Sequence, residues 1–350
     1  MSAQTTAKGG NSRYFFYSRG VFGFRVFLHL AIWARSGGRL LAVSLVPVLL
    51  CCCQPEKGCL RMGVMGANPV ECLDVFFFRD DLLGRLDAYQ RFEGPQPLEL
   101  EAVSTRGPRR IVVLANSSED RYTWAHFNSY EGLSALSTEL RHERPQRPVM
   151  SGECLSESGE AVSVTLTPLL AEIVLQTLSV DFHGTAYAHL PLEDIRIYLT
   201  NVNGRCSPFA QHVWYPQDIL NEGGLRPADL SGMLAPEMLF QTLEGALNDG
   251  VAATFLRFYG YPNEASAEGY GTPFTRLVIE GKIGGETWYY PIDINRDGGS
   301  GLQRGMSYHL DVTLTRKGVS DPDTPIGSEA ARLTLSVLPW KAQPERLVTY

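Results

Sequence analysis

Runs in which apolar and polar residues alternate, broken at short intervals by glycine, proline, asparagine or aspartate, set the strongest limit on how this chain folds. Strand side chains point to opposite faces in turn. A period of two therefore turns one apolar row to a core and one polar row to water. Ala161-Val-Ser-Val-Thr-Leu-Thr167 and Ile195-Arg-Ile-Tyr-Leu-Thr200 keep that period. Phe274–Ile279 and Thr287–Ile292 flank Gly281-Lys-Ile-Gly-Gly-Glu286, which reads as a hairpin. Tyr308–Thr315, Ala331–Leu338 and Arg346–Tyr350 read as later strands. Leu73–Phe78 is strand-like, and the continuous apolar run Ile111–Ala115 suits a strand covered on both faces. Ala171–Leu178 is mixed and leaves helix and strand open.

Helical signals are sparse. Asn128 is placed to cap a helix with Glu131 as reciprocal partner, Leu133, Leu136 and Leu140 fall on one face, and Pro145 ends the run. Pro227–Asn248 carries short helical segments. At 350 residues the chain exceeds one ordinary core. The expectation is a mainly β fold of two Ig-like β-sandwich domains with a few short helices, over residues 53–192 and 193–350. No short fixed repeat supports a solenoid or propeller.

Residues 1–52 are set apart. They hold Lys8, Arg13, Arg19, Arg25, Arg35 and Arg39 and no acidic residue, so the rest of the chain is more acidic than the overall charge of −7. Leu40–Leu50 is an apolar run too short to span a bilayer, which needs roughly 20 residues. With Arg35 and Arg39 before it and Cys51, Cys52 and Cys53 after it, it reads as a signal peptide ending in a lipobox. Cys52 or Cys53 is the candidate lipidated residue, since Leu49 or Leu50 then fills the apolar third position before it. A diacyl group would suffice to hold the protein on a membrane. The residue just before would be Cys, where a smaller one is usual; a plain signal peptide or buried cysteines is the alternative. The long basic stretch ahead of the apolar run suggests a translation start downstream of Met1.

The acidic body opposes nucleic-acid binding, which needs a basic face. Cys59, Cys72, Cys154 and Cys206 show no zinc-ligand spacing; paired cystines and buried thiols are both open. No hydrolase motif such as G-x-S-x-G or H-E-x-x-H occurs, no catalytic residue is nominated, and no cofactor is expected. Asp293-x-Asn295-x-Asp297-Gly298 matches the first half of a calcium loop, but Arg304 stands where the twelfth-position Glu belongs. The favoured reading there is a Gly-rich turn. Trp214, Tyr215, Trp288 and Tyr290 are candidates for stacking on a host or bacterial surface glycan, weighed against core and cross-strand packing.

Several stretches resemble the fimbrillin family of type V pilus subunits from Bacteroidales. They are Leu73-Asp-Val-Phe-Phe-Phe-Arg-Asp-Asp-Leu-Leu-Gly-Arg-Leu-Asp-Ala-Tyr-Gln-Arg-Phe92, Ile111–Ser117 with Asn128–Leu133, Ile197-Tyr-Leu-Thr-Asn-Val-Asn203, Thr272–Gly281 with Thr287–Ile292 and Thr313–Gly318, and Trp340 with Val348-Thr-Tyr350. The resemblance implies two transthyretin-like sandwiches, a lipoprotein precursor at the outer membrane, no enzymatic activity, and assembly with other fimbrial subunits by β-strand exchange. It makes Arg61 a candidate processing site, as the only Arg between the lipid cysteine and Phe78, and Arg346, Leu347, Val348, Thr349 and Tyr350 a candidate donor strand. It leaves anchor, shaft and accessory roles open. A surface glycan-binding lipoprotein outside any pilus is the alternative.

Overall fold

The structure, a computed structural model, describes residues 57–66, 69–94, 99–105, 107–118, 127–157, 161–209, 214–248, 250–296 and 299–340. In the N-terminal half these form β1 (Lys57–Met65), β2 (Cys72–Arg79), β3 (Leu86–Glu93), β4 (Glu99–Thr105), β5 (Arg109–Ala115), α1 (Tyr130–Ser134), β6 (Thr138–Glu139), β7 (Met150–Ser156), β8 (Val162–Thr165) and β9 (Thr167–Pro168). There follow β10 (Ala171–Val180), β11 (Leu192–Thr200), β12 (Val202–Asn203), β13 (Arg205–Cys206), β14 (Ile219–Leu220), α2 (Pro227–Leu230), β15 (Phe240–Leu243), β16 (Gly250–Gly260), β17 (Arg276–Ile283), β18 (Glu286–Asp293), β19 (Met306–Leu314) and β20 (Ala331–Pro339).

Two sandwiches result. In the first, a sheet ordered β4-β1-β8 faces one ordered β3-β2-β5-β7-β9. The core between them joins Met62, Val64 and Val164 to Leu73, Val75, Phe77, Ile111 and Val113. The opposite face of the five-stranded sheet is also covered. Phe76, Phe78, Val112 and Leu114 pack on Leu133, Leu136 and Leu140, and that core runs on into the C-terminal half. This double coverage explains why Phe76, Phe77 and Phe78 are all fully buried. Fully burying each phenylalanine is favourable by roughly 1.5–3 kcal/mol. Gly152 permits the closest approach of the two sheets, since a Cβ there would lie 2.2 Å from the Thr165 carbonyl oxygen.

The second sandwich pairs β16-β10-β19-β20 with β15-β11-β17-β18. The hairpin between β17 and β18 turns at Gly284-Gly285, both at positive φ (62° and 85°), as a tight two-residue turn requires. The expected boundary at 192/193 falls between β10 and the strands it pairs with. β10 lies before it, yet pairs antiparallel with β16 and parallel with β19. Its core row, Ile173, Leu175, Leu178 and Val180, changes parity at a bulge between Leu175 and Thr177, and that bulge blurred its period.

Two other expectations shift. Ser129, not Asn128, caps α1, its hydroxyl accepting from Gly132 N–H at 3.1 Å. The helix ends at Ser134, and the chain then supplies β6, which pairs with β13 from the other half. The alternating run 161–167 divides between sheets, β8 pairing with β1 and β9 with β7.

Polar clamps join the halves. Ser151 Oγ donates to Pro208 O (2.6 Å), and Tyr261 OH lies 2.8 Å from Thr138 Oγ1 and Glu143 Oε1. Cys206 is buried here, and burial pushes its thiol up to about 12. A thiol raised from 9.0 to about 12 holds about a thousandth of the ordinary thiolate fraction. Iodoacetamide, followed by peptide mass spectrometry, is therefore expected to alkylate native Cys206 at least about 30-fold more slowly than the unfolded chain, the better nucleophilicity of a high-pKa thiolate offsetting part of its lower fraction. Equal rates would show that the junction opens freely.

Candidate strand-exchange site

The N-terminal sandwich is built around its first strand. β1 pairs antiparallel with β4, from Lys57↔Thr105 to Gly63↔Glu99. On its other side it pairs parallel with β8, from Met62↔Val162 to Met65↔Thr165. It is thus central in its sheet although it comes first in the described chain. Met62 (0% exposed) and Val64 (6%) are its plugs into the core. Without β1, the facing edges of β4 and β8 would lose their backbone partners and the core would gain two empty apolar slots. Such a groove is what an added strand fills: its backbone satisfies both edges and alternate side chains fill the slots.

Direction along the strands defines two ends of this domain. At one, Lys57 begins β1, β4 ends at Thr105 and β5 begins at Arg109, and the hairpin 79–85 joins β2 to β3. At the other, Ser151, Thr167 and Pro168 meet Arg304 of the second sandwich. The connection after β1 is bonded at this junction end, Leu166 N–H donating to Met65 O at 2.7 Å.

No family model matches the chain, and no curated protein matches it. Solved structures do. A candidate cell adhesion protein from Bacteroides eggerthii is 19% identical with a TM-score of 0.61, over 81% of this chain and 96% of its own. A fimbrilin from Porphyromonas gingivalis W83 is 16% identical with a TM-score of 0.60, over 82% of this chain and 98% of its own. The C-terminally truncated tip fimbrial protein Mfa3 of Porphyromonas gingivalis is 13% identical with a TM-score of 0.51, over 81% of this chain and all of its own (100%). The chain has the fimbrillin fold.

Within the fimbrillin fold the sequence-nominated residues are scattered. Arg61 sits inside β1, in register with Glu101. Cutting after it would remove only the start of the strand and leave Met62, Val64 and the whole β8 pairing in place. No arginine occurs between Arg61 and Arg79, so the β1–β2 connection offers none. Cys52, Cys53 and Arg346–Tyr350 lie outside the described residues.

The glycan candidates form no common exposed face. Trp288 and Tyr290 occupy the inward row of β18 with Ile292. Tyr290 is fully buried, and its hydroxyl donates to Arg316 O (2.8 Å). Trp288 packs on the core with the Lys317 ammonium 4.7 Å from its ring. Trp214 Nε1 donates to Ser207 O (3.3 Å), and Arg304 lies 5.7 Å from its ring centroid. Tyr215 alone of the four is well exposed. The packing alternative accounts for Trp214, Trp288 and Tyr290, and the stacking platform is not assembled.

The calcium motif is spent internally. Asp293 Oδ1 accepts from Arg276 Nε at 2.7 Å, and Asn295 Nδ2 donates to Gly301 O at 3.0 Å. Arg276 is 2% exposed and also binds Glu268 and Asp323. Asp297 lies outside the described residues. Among the described residues no group of three His, Cys, Asp or Glu could hold a metal ion. Arg304, in place of the twelfth-position ligand, is buried among carbonyls.

Cys72, Cys154 and Cys206 are free thiols. A Ser–His contact, Ser307 Oγ to His309 Nε2 at 3.0 Å, carries no activated nucleophile. The buried Ser307 hydroxyl donates to Glu172 Oε2 at 2.5 Å instead. Glu172 also binds Arg257 and Tyr259, a structural knot on the outer face of the second sandwich.

Sequence reasoning missed β1. Its signal was present as Leu60, Met62 and Val64 at a spacing of two, diluted by Gly58 and Gly63.

Proposed function

We propose that this chain is a structural subunit of a cell-surface fimbria that keeps its own first strand. It is held at the outer membrane by acylation of Cys52 or Cys53 and lends Arg346–Tyr350 to a neighbouring subunit as an added β-strand. The observation that carries the reading is the position of β1: first in the described chain, central in its sheet and plugged into the core. A terminal strand held this way is replaceable by a strand from another chain, with sheet and core restored. The fimbrial proteins that share the fold support the same reading.

The register supports retention of β1. A cut at Arg61 frees too little of the strand to open the groove, and no arginine in the β1–β2 connection offers a better one. A subunit with its groove filled does not accept a strand there, which suits one end of a polymer. The tether from a lipidated Cys53 to Lys57 is four residues, so the domain would stand against the membrane.

Protein recovered from the cell surface and digested for mass spectrometry is expected to give an acylated Cys52 or Cys53 peptide with residues 57–65 intact. An N-terminus at Met62 would instead make it a processed shaft subunit.

A further inference from the structure

We infer that the tip of the 79–85 hairpin is a second, apolar point of contact with the lipid bilayer, beside the acylated N-terminus. The inference rests on the acylation reading above and adds a surface to it. Leu82 is fully exposed (107%) and Leu83 is 65% exposed, side by side at a loop tip. The turn is built to present them. Asp81 Oδ1 accepts from Leu83 N–H (3.0 Å) and Gly84 N–H (2.9 Å), and Gly84 N–H also donates to Asp81 O (3.0 Å). Gly84 takes φ 48°, and its carbonyl is held by Tyr130 N–H at 2.8 Å, which fixes the hairpin against α1. An adjacent pair of leucines held out into solvent by an ordered turn has no role in the fold.

The position names the occupant. The register puts this tip at the end of the domain where β1 begins, since Lys57 pairs with Thr105, β5 begins four residues later at Arg109, and Arg109 pairs with Arg79. Cys53 lies four residues before Lys57, a span of at most ~14 Å. Acyl chains in the bilayer therefore keep this end of the domain within reach of the headgroups, whereas the second sandwich joins at the opposite end. Arg79 and Arg85, 45% and 57% exposed, flank the leucines, each within 4 Å of a carboxylate (Asp87 at 3.6 Å and Asp81 at 3.8 Å), so the tip brings little net charge to a headgroup layer and its contact is apolar. Two contacts, one through the acyl chains and one through the tip, would fix the direction in which the second sandwich projects.

The test uses the full acylated protein in phosphatidylethanolamine–phosphatidylglycerol vesicles whose acyl chains carry bromine, a contact quencher of tryptophan. Leu82→Trp is compared with Tyr270→Trp, a fully exposed position in the other half, each after subtraction of the unmodified protein. The proposal expects the added fluorescence to fall at least twofold for Leu82→Trp and to stay unchanged for Tyr270→Trp. Flotation with the vesicles but no quenching in Leu82→Trp overturns the tip contact and leaves the anchor standing. If the introduced tryptophan is then also shielded from aqueous acrylamide, a second copy of the chain covers the tip and the lipid contact is overturned. Failure of the unmodified protein to float overturns the acylation reading, and the tip contact with it.

Discussion

Protein cut within the 66–71 connection and stripped of residues 57–65 is expected to lose the cooperative unfolding of its N-terminal sandwich, and to regain it when a peptide of residues 57–65 is added. Loss of Met62 and Val64 leaves two slots among Leu73, Val75, Phe77, Ile111 and Val113, each costing roughly 2–4 kcal/mol. The backbone partners along β4 and β8 go with them, at about 1 kcal/mol for each hydrogen bond. The total rivals the roughly 5–15 kcal/mol that stabilises a whole domain. The loss therefore reads as a melting temperature lowered by well over 10 °C or as no transition. The peptide restores both terms because it brings the register back and returns Met62 and Val64 to the core. A peptide carrying Met62→Asp and Val64→Asp keeps the backbone but puts charges in the slots, and it should not rescue. Scanning calorimetry with each peptide checks this. A stripped protein that unfolds as the intact one does would show that β1 is an accessory strand and that no groove exists.

What was legible in advance follows from how each face is covered. The hairpin of β17 and β18 was clear because Gly284 and Gly285 supply the positive φ that such a turn demands and the flanking strands alternate. β10 was ambiguous because a bulge between Leu175 and Thr177 shifts its core row from Ile173 and Leu175 to Leu178 and Val180, so no single period of two runs through it. The core role of Trp288 and Tyr290 lay in their parity with Ile292, which places all three on one face of β18. Aromatic identity alone drew attention to a surface role that parity denies to two of them. The candidate site was the hardest to read. That β1 is central depends on pairing residues 57–65 with 99–105 and 162–165, a long-range relation that no local pattern carries. Arg61 shows the same limit, for its place in mid-strand is set by register with Glu101.

Arg304→Met is expected to loosen the two sandwiches from each other. Arg304 Nε donates to Pro168 O (3.2 Å), Nη1 to Pro208 O (3.2 Å), and Nη2 to Ser151 O (3.3 Å) and Thr167 O. Residues 151, 167 and 168 belong to strands of the first sandwich, and Arg304 leads into β19 of the second. Carbonyl dipoles, not a carboxylate, solvate the guanidinium in this set of contacts. Burial pushes it down to about 10 from 12.5, so the charged form costs about 3 kcal/mol at neutral pH. On charge alone, Arg304→Met would stabilise by that amount. Against this stand three buried acceptors that lose this donor at about 1–3 kcal/mol each, Pro208 O keeping the Ser151 hydroxyl, so the net expectation is a loss of about 3 kcal/mol. Methionine keeps most of the stem volume, which leaves the missing hydrogen bonds as the main change. The pH dependence separates the two terms. Because the folded-state pKa lies below the unfolded one, the unfolded chain binds more protons between pH 10 and 12.5, and this group makes stability rise with pH across that window. Arg304→Met abolishes that rise. Calorimetry at neutral pH should show the variant melting earlier, with the two sandwiches resolved into separate transitions. A single transition at the original temperature would mean that the junction is held by the shared apolar core alone.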